Sequence, residues 1–253
     1  MIVRLYLTGR ICVEVDGTVV VDERQFRGRQ GRLAFAYLAT ERSRPIPREE
    51  LANVLWPDEM APTWDTSMSS LVSKLRGLFS SGSLRGRGLD IAGGAGQYLL
   101  RLPSDGWIDL EEAASAVDRA EAALRAGEPQ SILGPATVAM NICRRPFLPG
   151  IEGEWVELQR SKLERQLVRA LDCLSYMGLA LDEPNVAVEA SIEAVGLDPF
   201  RERSYQLLMR AHMATGNGAE ALSTYHRLRK LLEDDLATSP SAETEAIYLE
   251  LLS

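Results

Sequence analysis

The sequence predicts an α+β N-terminal domain, residues 1–105, followed by an all-α domain, residues 106–253. Three observations carry this reading. Apolar residues alternate with a period of two up to Val21, then recur with the 3.6-residue period of helices. After one further pair of alternating runs near residue 95, no strand signal is found from Trp107 onward. Charge divides at the same place. Residues 1–105 hold 14 Lys+Arg against 12 Asp+Glu, and residues 106–253 hold 14 against 24, within a net charge of -8. An acidic chain is a poor nonspecific nucleic-acid binder, and the asymmetry suggests two domains with different partners.

The first three runs, IVRLYLT, ICVEV and TVVVD, are β-branched and separated by Gly9-Arg10 and Asp16-Gly17. Asp-Gly tolerates positive φ and suits a two-residue hairpin, so the runs predict a small antiparallel sheet. The period then changes. In Arg29–Arg42, residues Leu33, Ala34, Tyr37 and Leu38 form one helical stripe. The link SRPIP ends that helix, because Pro45 and Pro47 cannot continue it. A second helix opens at Pro47 or Arg48, with Glu49 and Glu50 favouring its N-terminal dipole. WPDEMAP reads as a connector bracketed by Pro57 and Pro62. A third helix follows within Thr63–Ser81, then the loop SSGSLRGRG. GLDIA and QYLLRL flank Gly93, Gly94 and Gly96 and read as a β-hairpin.

Seven helical segments are expected beyond Trp107: roughly 109–126, 128–143, 153–181, 184–196, 200–215, 218–234 and 241–252. Gly134-Pro135 should break or kink the second of these. Ala187-Val188 and Ala221-Leu222 stand 34 residues apart, the period of tetratricopeptide helix pairs, although Ser191 and Tyr225 do not match at that offset. The second domain therefore reads as tetratricopeptide-like.

The third helix has two unlike faces. Trp64, Met68, Leu71, Val72, Leu75, Leu78 and Phe79 make a core stripe. Opposite lie Thr66, Ser70, Ser73 and Gly77, flanked by Ser67 and Lys74 on one side and Ser69 and Arg76 on the other. A solvated helix usually shows Glu–Lys pairs, whereas small hydroxyls allow another surface to come close and hydrogen-bond. Packing on a neighbour would also explain such a face. The order strand–helix–helix–helix–hairpin favours a winged helix, whose third helix enters the DNA major groove while the hairpin forms the wing. On that reading the candidate DNA-binding residues are Ser67, Ser70, Ser73, Lys74 and Arg76 on the helix and Arg85 and Arg87 before the wing. Arg29, Arg32 and Arg48 join them beside the first two helices.

Other functions lack residues to carry them. Cys12, Cys143 and Cys173 are sparse and odd in number, which fits a reducing cytoplasm and small core residues. With only His212 and His226, no zinc spacing can be assembled, and no metal or cofactor is expected. No run is long and apolar enough to span a membrane, and no secretory signal is seen. There is no G-x-S-x-G, and Ala92–Gly96 reads as a turn rather than a dinucleotide-binding loop, so no enzyme is expected.

The runs GRQGRLAFAYLATERSRPIPREELANVLWPDEMAP, SSLVSKLRGLF and GQYLLRLPSDGWIDL resemble the Streptomyces antibiotic regulatory protein family, whose N-terminal domain is a response-regulator-type winged helix. The segments EWVELQRSKLERQLVRALDCLSYMGLAL, GLDPFRERSYQLLMRAHMATGNGAEALSTYHRLRKLLEDDL and SPSAETEAIYLELL resemble that family's bacterial transcriptional activator domain. The resemblance implies a transcription factor that binds repeated promoter sites, often as a dimer, and contacts RNA polymerase. Ser70–Leu78 matches the recognition-helix motif, with Gly77 where the family usually has a basic residue. No P-loop or forkhead-associated module is found.

The expectation is a cytoplasmic regulator of transcription, an activator and a homodimer, with double-stranded DNA and RNA polymerase as partners. Two alternatives remain open. One is an adaptor whose winged helix has lost DNA binding, motivated by Gly77 and Asp65. The other is a ligand-responsive regulator, with Tyr176, Tyr205, His212 and Tyr225 lining a concavity.

Overall fold

A computed structural model describes residues 2–57 and 62–252. Residues 58–61 of the predicted WPDEMAP connector lie outside the described residues. The chain divides into two compact units, Met1–Glu112 with Arg145–Ser161, and Ala113–Arg144 with Lys162–Ser253.

In the first unit the three β-branched runs form β1 (Val3–Tyr6), β2 (Cys12–Val15) and β3 (Thr18–Val21), an antiparallel meander. Asp16 and Gly17 both take positive φ at its second turn, as a tight hairpin requires. Helices α1 (Gly28–Thr40), α2 (Arg48–Leu55) and α3 (Trp64–Phe79) follow. The hairpin is β5 (Asp90–Gly94) and β6 (Gln97–Arg101), turning through Ala95-Gly96.

Two short strands correct the sequence reading. Ile46–Pro47, expected to be a link only, is strand β4 and pairs antiparallel with β6 at the edge of the order β4-β6-β5. Pro47 is tolerated there because an edge strand needs donors on one side only. Trp107–Ile108, in the stretch expected to hold no strand, is β7, parallel to β1 with Arg4 opposite Trp107 and Leu5 opposite Ile108. Two residues cannot display a period, so the free edge of β1 decides their conformation.

Asp109 secures that junction. Fully buried, its carboxylate accepts hydrogen bonds from the Leu7 and Thr8 amides at 2.9 Å each and from the Thr8 hydroxyl at 2.8 Å. It also accepts the Leu110 amide of its own helix, α4 (Asp109–Ala126). Segment 145–161 belongs to this unit through an aromatic contact of Trp155 with Tyr37 at 4.9 Å and with Phe147 at 5.7 Å. Arg160 donates to the carbonyls of Phe147, Leu148 and Ile151.

The second unit is helical among its described residues. It contains α5 (Leu133–Cys143), α7 (Pro184–Leu197), α8 (Glu202–Ala214), α9 (Gly218–Leu236) and α10 (Ala242–Leu252), with most of α6 (Glu154–Ala180). The break expected inside 128–143 falls earlier. A 3-10 turn at Pro129–Ser131 precedes α5, and Pro135 sits in that helix's first turn, where no intrahelical amide bond is lost. Ala187 and Ala221, the two positions 34 apart, are both fully buried. Val195, Tyr205, Leu208, Leu228 and Leu232 pack as one cluster among α7, α8 and α9. Close approach of α7 to α6 depends on Gly178, where a Cβ would meet Ala187 N and Glu183 O at 2.9 Å. Nearby, Ser191 donates to Ser175 at 2.8 Å, both fully buried. Cys12, Cys143 and Cys173 are buried and form no disulfide with one another, small core residues as expected.

Candidate nucleic-acid interface

Helix α3 is held by its apolar stripe. Met68, Val72, Leu75 and Phe79 are buried, each contributing about 1.5–3 kcal/mol. Phe79 lies 5.7 Å from Phe35 of α1, which stacks on Phe26 at 4.6 Å. Trp64, Leu71 and Leu78, expected in the same stripe, are only half-buried, because they lie at its margins. The other face is open: Thr66, Ser67, Ser69, Ser70, Ser73, Lys74 and Gly77 are all exposed. No described residue pairs with Lys74.

The arginines divide. Arg76 turns onto the hairpin, where its Nε donates to Ile91 O at 2.7 Å and its guanidinium lies 5.9 Å from the Tyr98 ring centroid. Arg48, at the start of α2, reaches α3. Its Nη2 lies 2.7 Å from Ser69 Oγ, 3.0 Å from Asp65 O and 2.6 Å from Asp65 Oδ1, and its guanidinium is 5.8 Å from the same Tyr98 ring. Asp65, which would repel a phosphate if bare, is therefore ion-paired with Arg48. A cleft of about 270 Å³ lies between α3 and the hairpin, lined by Arg48, Ser69, Arg76, Tyr98 and the hairpin glycines. Arg85 is exposed in the loop before the wing, while Arg87 is half-buried and donates to Ser83 O. Arg29 and Arg32 stand apart from this group: Arg29 donates to Glu152 O, and Arg32 pairs with Glu23.

Thus Ser67, Ser70, Ser73 and Lys74 share one exposed helix, and Arg48 and Arg76 meet at its edge. Sequence reasoning missed Tyr98 and Gly93. A Cβ at Gly93 would collide with Arg76 Nη2, yet in sequence Gly93 is one of several turn glycines. Tyr98 reads only as an apolar strand residue.

The family described as "Bacterial transcriptional activator domain" matches residues 108–252. This chain belongs to the bacterial transcriptional activator domain family. It is 23% identical to a solved structure, Mycobacterium tuberculosis EmbR in complex with a low affinity phosphopeptide. The two superpose with a TM-score of 0.87 over 99% of this chain and 65% of that one, which shows a shared fold. Among curated relatives, the regulatory protein AfsR of Streptomyces coelicolor is 27% identical over 223 residues, 88% of this chain and 22% of AfsR. The transcriptional regulatory protein EmbR of Mycobacterium tuberculosis is 27% identical over 252 residues, 97% of this chain and 62% of EmbR. This activator-domain protein thus spans less than two thirds of the length of AfsR and of EmbR. It is a member of the Streptomyces antibiotic regulatory protein family, a winged helix followed by a helical domain. No described helix of this activator-domain protein is long and apolar enough to cross a membrane. No described group of three or more His, Cys, Asp or Glu is placed to hold a metal ion.

Proposed function

We propose that this chain is a sequence-specific, double-stranded DNA-binding regulator of transcription, an activator that works in the cytoplasm and catalyses no reaction. The observation that carries the reading is the open hydroxyl face of α3, with Lys74 beside it and its acid, Asp65, paired with Arg48. Ser70 and Ser73 present donors and acceptors without bulk, which suits base edges and phosphates in a major groove. Residues 1–105 supply this DNA-binding domain, and the exposed Arg85 serves the wing. Residues 106–253, which are acidic, would not compete for DNA and form the surface for RNA polymerase and for a second copy of the chain. The relatives' names, regulatory protein and transcriptional regulatory protein, support the class of function.

Binding of the purified chain to a library of random duplexes tests this. Recovery of a preferred site is expected, with affinity falling steeply with salt. Ser73→Glu should abolish preference for that site, because it puts a carboxylate where a duplex must approach. Lys74→Ala should lower the slope of log affinity against log salt by about 0.9 if Lys74 meets a phosphate. Absence of binding to any duplex at low salt would refute the proposal and leave the adaptor reading. The ligand-responsive reading is weakened because Tyr205 and Tyr225 are buried, Tyr225 stacked on Tyr248 at 3.9 Å and donating to Glu245.

A further inference from the structure

We infer that the cleft between α3 and the β5–β6 hairpin seats one backbone phosphate of the duplex, gripped jointly by Arg48 and Arg76. These two arginines then hold DNA without reading its sequence. The inference rests on the DNA-binding reading above and deepens it.

Four features converge. The two guanidinium carbons lie 5.8 and 5.9 Å from the centroid of the same Tyr98 ring, so two cations share one small wall. Their charge is undercompensated. Arg76 spends its Nε on a neutral carbonyl and meets no carboxylate among the described residues. Arg48 meets one carboxylate, that of Asp65, whose side chain is 62% exposed. Among the described residues no carboxylate lines the cleft itself, so the local potential favours an anion. The Arg48 Nε is buried without a hydrogen-bond partner, an orphaned donor at this wall.

The opposite wall is built for close approach. Gly93, Gly94 and Gly96 expose backbone rather than side chain, and Gly93 has no room for a Cβ beside Arg76. A volume of about 270 Å³ admits a phosphodiester group but not a base pair. Guanidinium groups match phosphate oxygens with paired N–H donors, which makes arginine rather than lysine the fitting residue. Arg76 is thereby assigned to the backbone. Base reading is left to the hydroxyl face around Ser70 and Ser73, with Lys74 at its flank.

The test uses the full chain, its preferred duplex from the library selection and a scrambled duplex of equal length. Affinities are read by fluorescence anisotropy across about 50–200 mM salt. Arg48→Gln and Arg76→Gln should each weaken both duplexes by the same factor. The double variant should lower the salt slope by about 0.9, the share of one phosphate, rather than twice that. Methylphosphonates placed singly along the preferred duplex should reveal one position that weakens the wild type and leaves the double variant unaffected. An unchanged slope, a loss confined to the preferred duplex, or no such position would overturn the seat while leaving DNA binding intact. If Arg76→Gln unfolds the chain, the methylphosphonate scan with Arg48→Gln alone decides. A wild type that binds no duplex would instead sink the functional reading itself.

Discussion

Replacing Asp109 with alanine isolates what ties the first sheet to the start of α4. The carboxylate accepts from two buried amides, Leu7 and Thr8, from the Thr8 hydroxyl and from Leu110. Leu7 is fully buried and Thr8 only 2% exposed, so water cannot readily replace the lost acceptor at either. Leaving a buried donor unpaired costs about 1–3 kcal/mol. Two amides therefore cost about 2–6 kcal/mol. The Thr8 hydroxyl can rotate toward another acceptor, and the half-buried Leu110 amide sits in a helix first turn within reach of solvent, so neither adds much. A loss near 4 kcal/mol is a large share of the about 5–15 kcal/mol that holds a domain folded. The assay is urea unfolding followed by tryptophan fluorescence. Trp56, Trp64, Trp107 and Trp155 all fall within the first unit, so the signal reports that unit alone. The midpoint should fall with the slope unchanged. Thr8→Val, which removes only the hydroxyl donor, should cost no more than about 1.5 kcal/mol. A loss below about 1 kcal/mol for Asp109→Ala would refute the view that this carboxylate is the sole acceptor for those amides.

Three further outcomes are expected. Gly93→Ala should displace Arg76 from Ile91 O and weaken DNA binding; because only the end of a flexible side chain is pushed, tryptophan-detected stability should change by less than about 1 kcal/mol. Gly178→Ala should cost about 1–3 kcal/mol in circular-dichroism melts despite alanine's better helix propensity, since its Cβ meets the backbone of α7. Acid should loosen the second unit through Glu121. Hydrogen bonds from Arg169 hold its carboxyl below the ordinary value of 4.5, so that stabilisation is present above the unfolded value and is lost as pH falls through the lower folded one. Circular dichroism of Glu121→Gln against the wild type below about pH 5 checks this, the variant being expected to lose less on acidification.

Much of the fold was legible in order and type because it is local. The 3.6-residue stripe of α3 and the Asp16-Gly17 turn each depend on a few neighbouring residues, and each element forms where its pattern lies. The open face of α3 was legible for the same reason: once one stripe is buried, 100° per residue dictates what points away.

Long-range pairing was not legible. Nothing in Trp107–Ile108 or Ile46–Pro47 distinguishes a strand from a link, because each becomes one only by meeting a free edge, β1 or β6. The arginines show the same limit. In sequence Arg29, Arg32, Arg48 and Arg76 are equivalent long cations. Folding sends Arg29 to Glu152 O and Arg32 to Glu23, and brings Arg48 and Arg76 to one tyrosine 50 and 22 residues further along. Periodicity is a property of neighbours along the chain, so composition and order alone determined the helices and their faces. Where each of these cations ends up is a property of neighbours in space, and only the tertiary structure decided it.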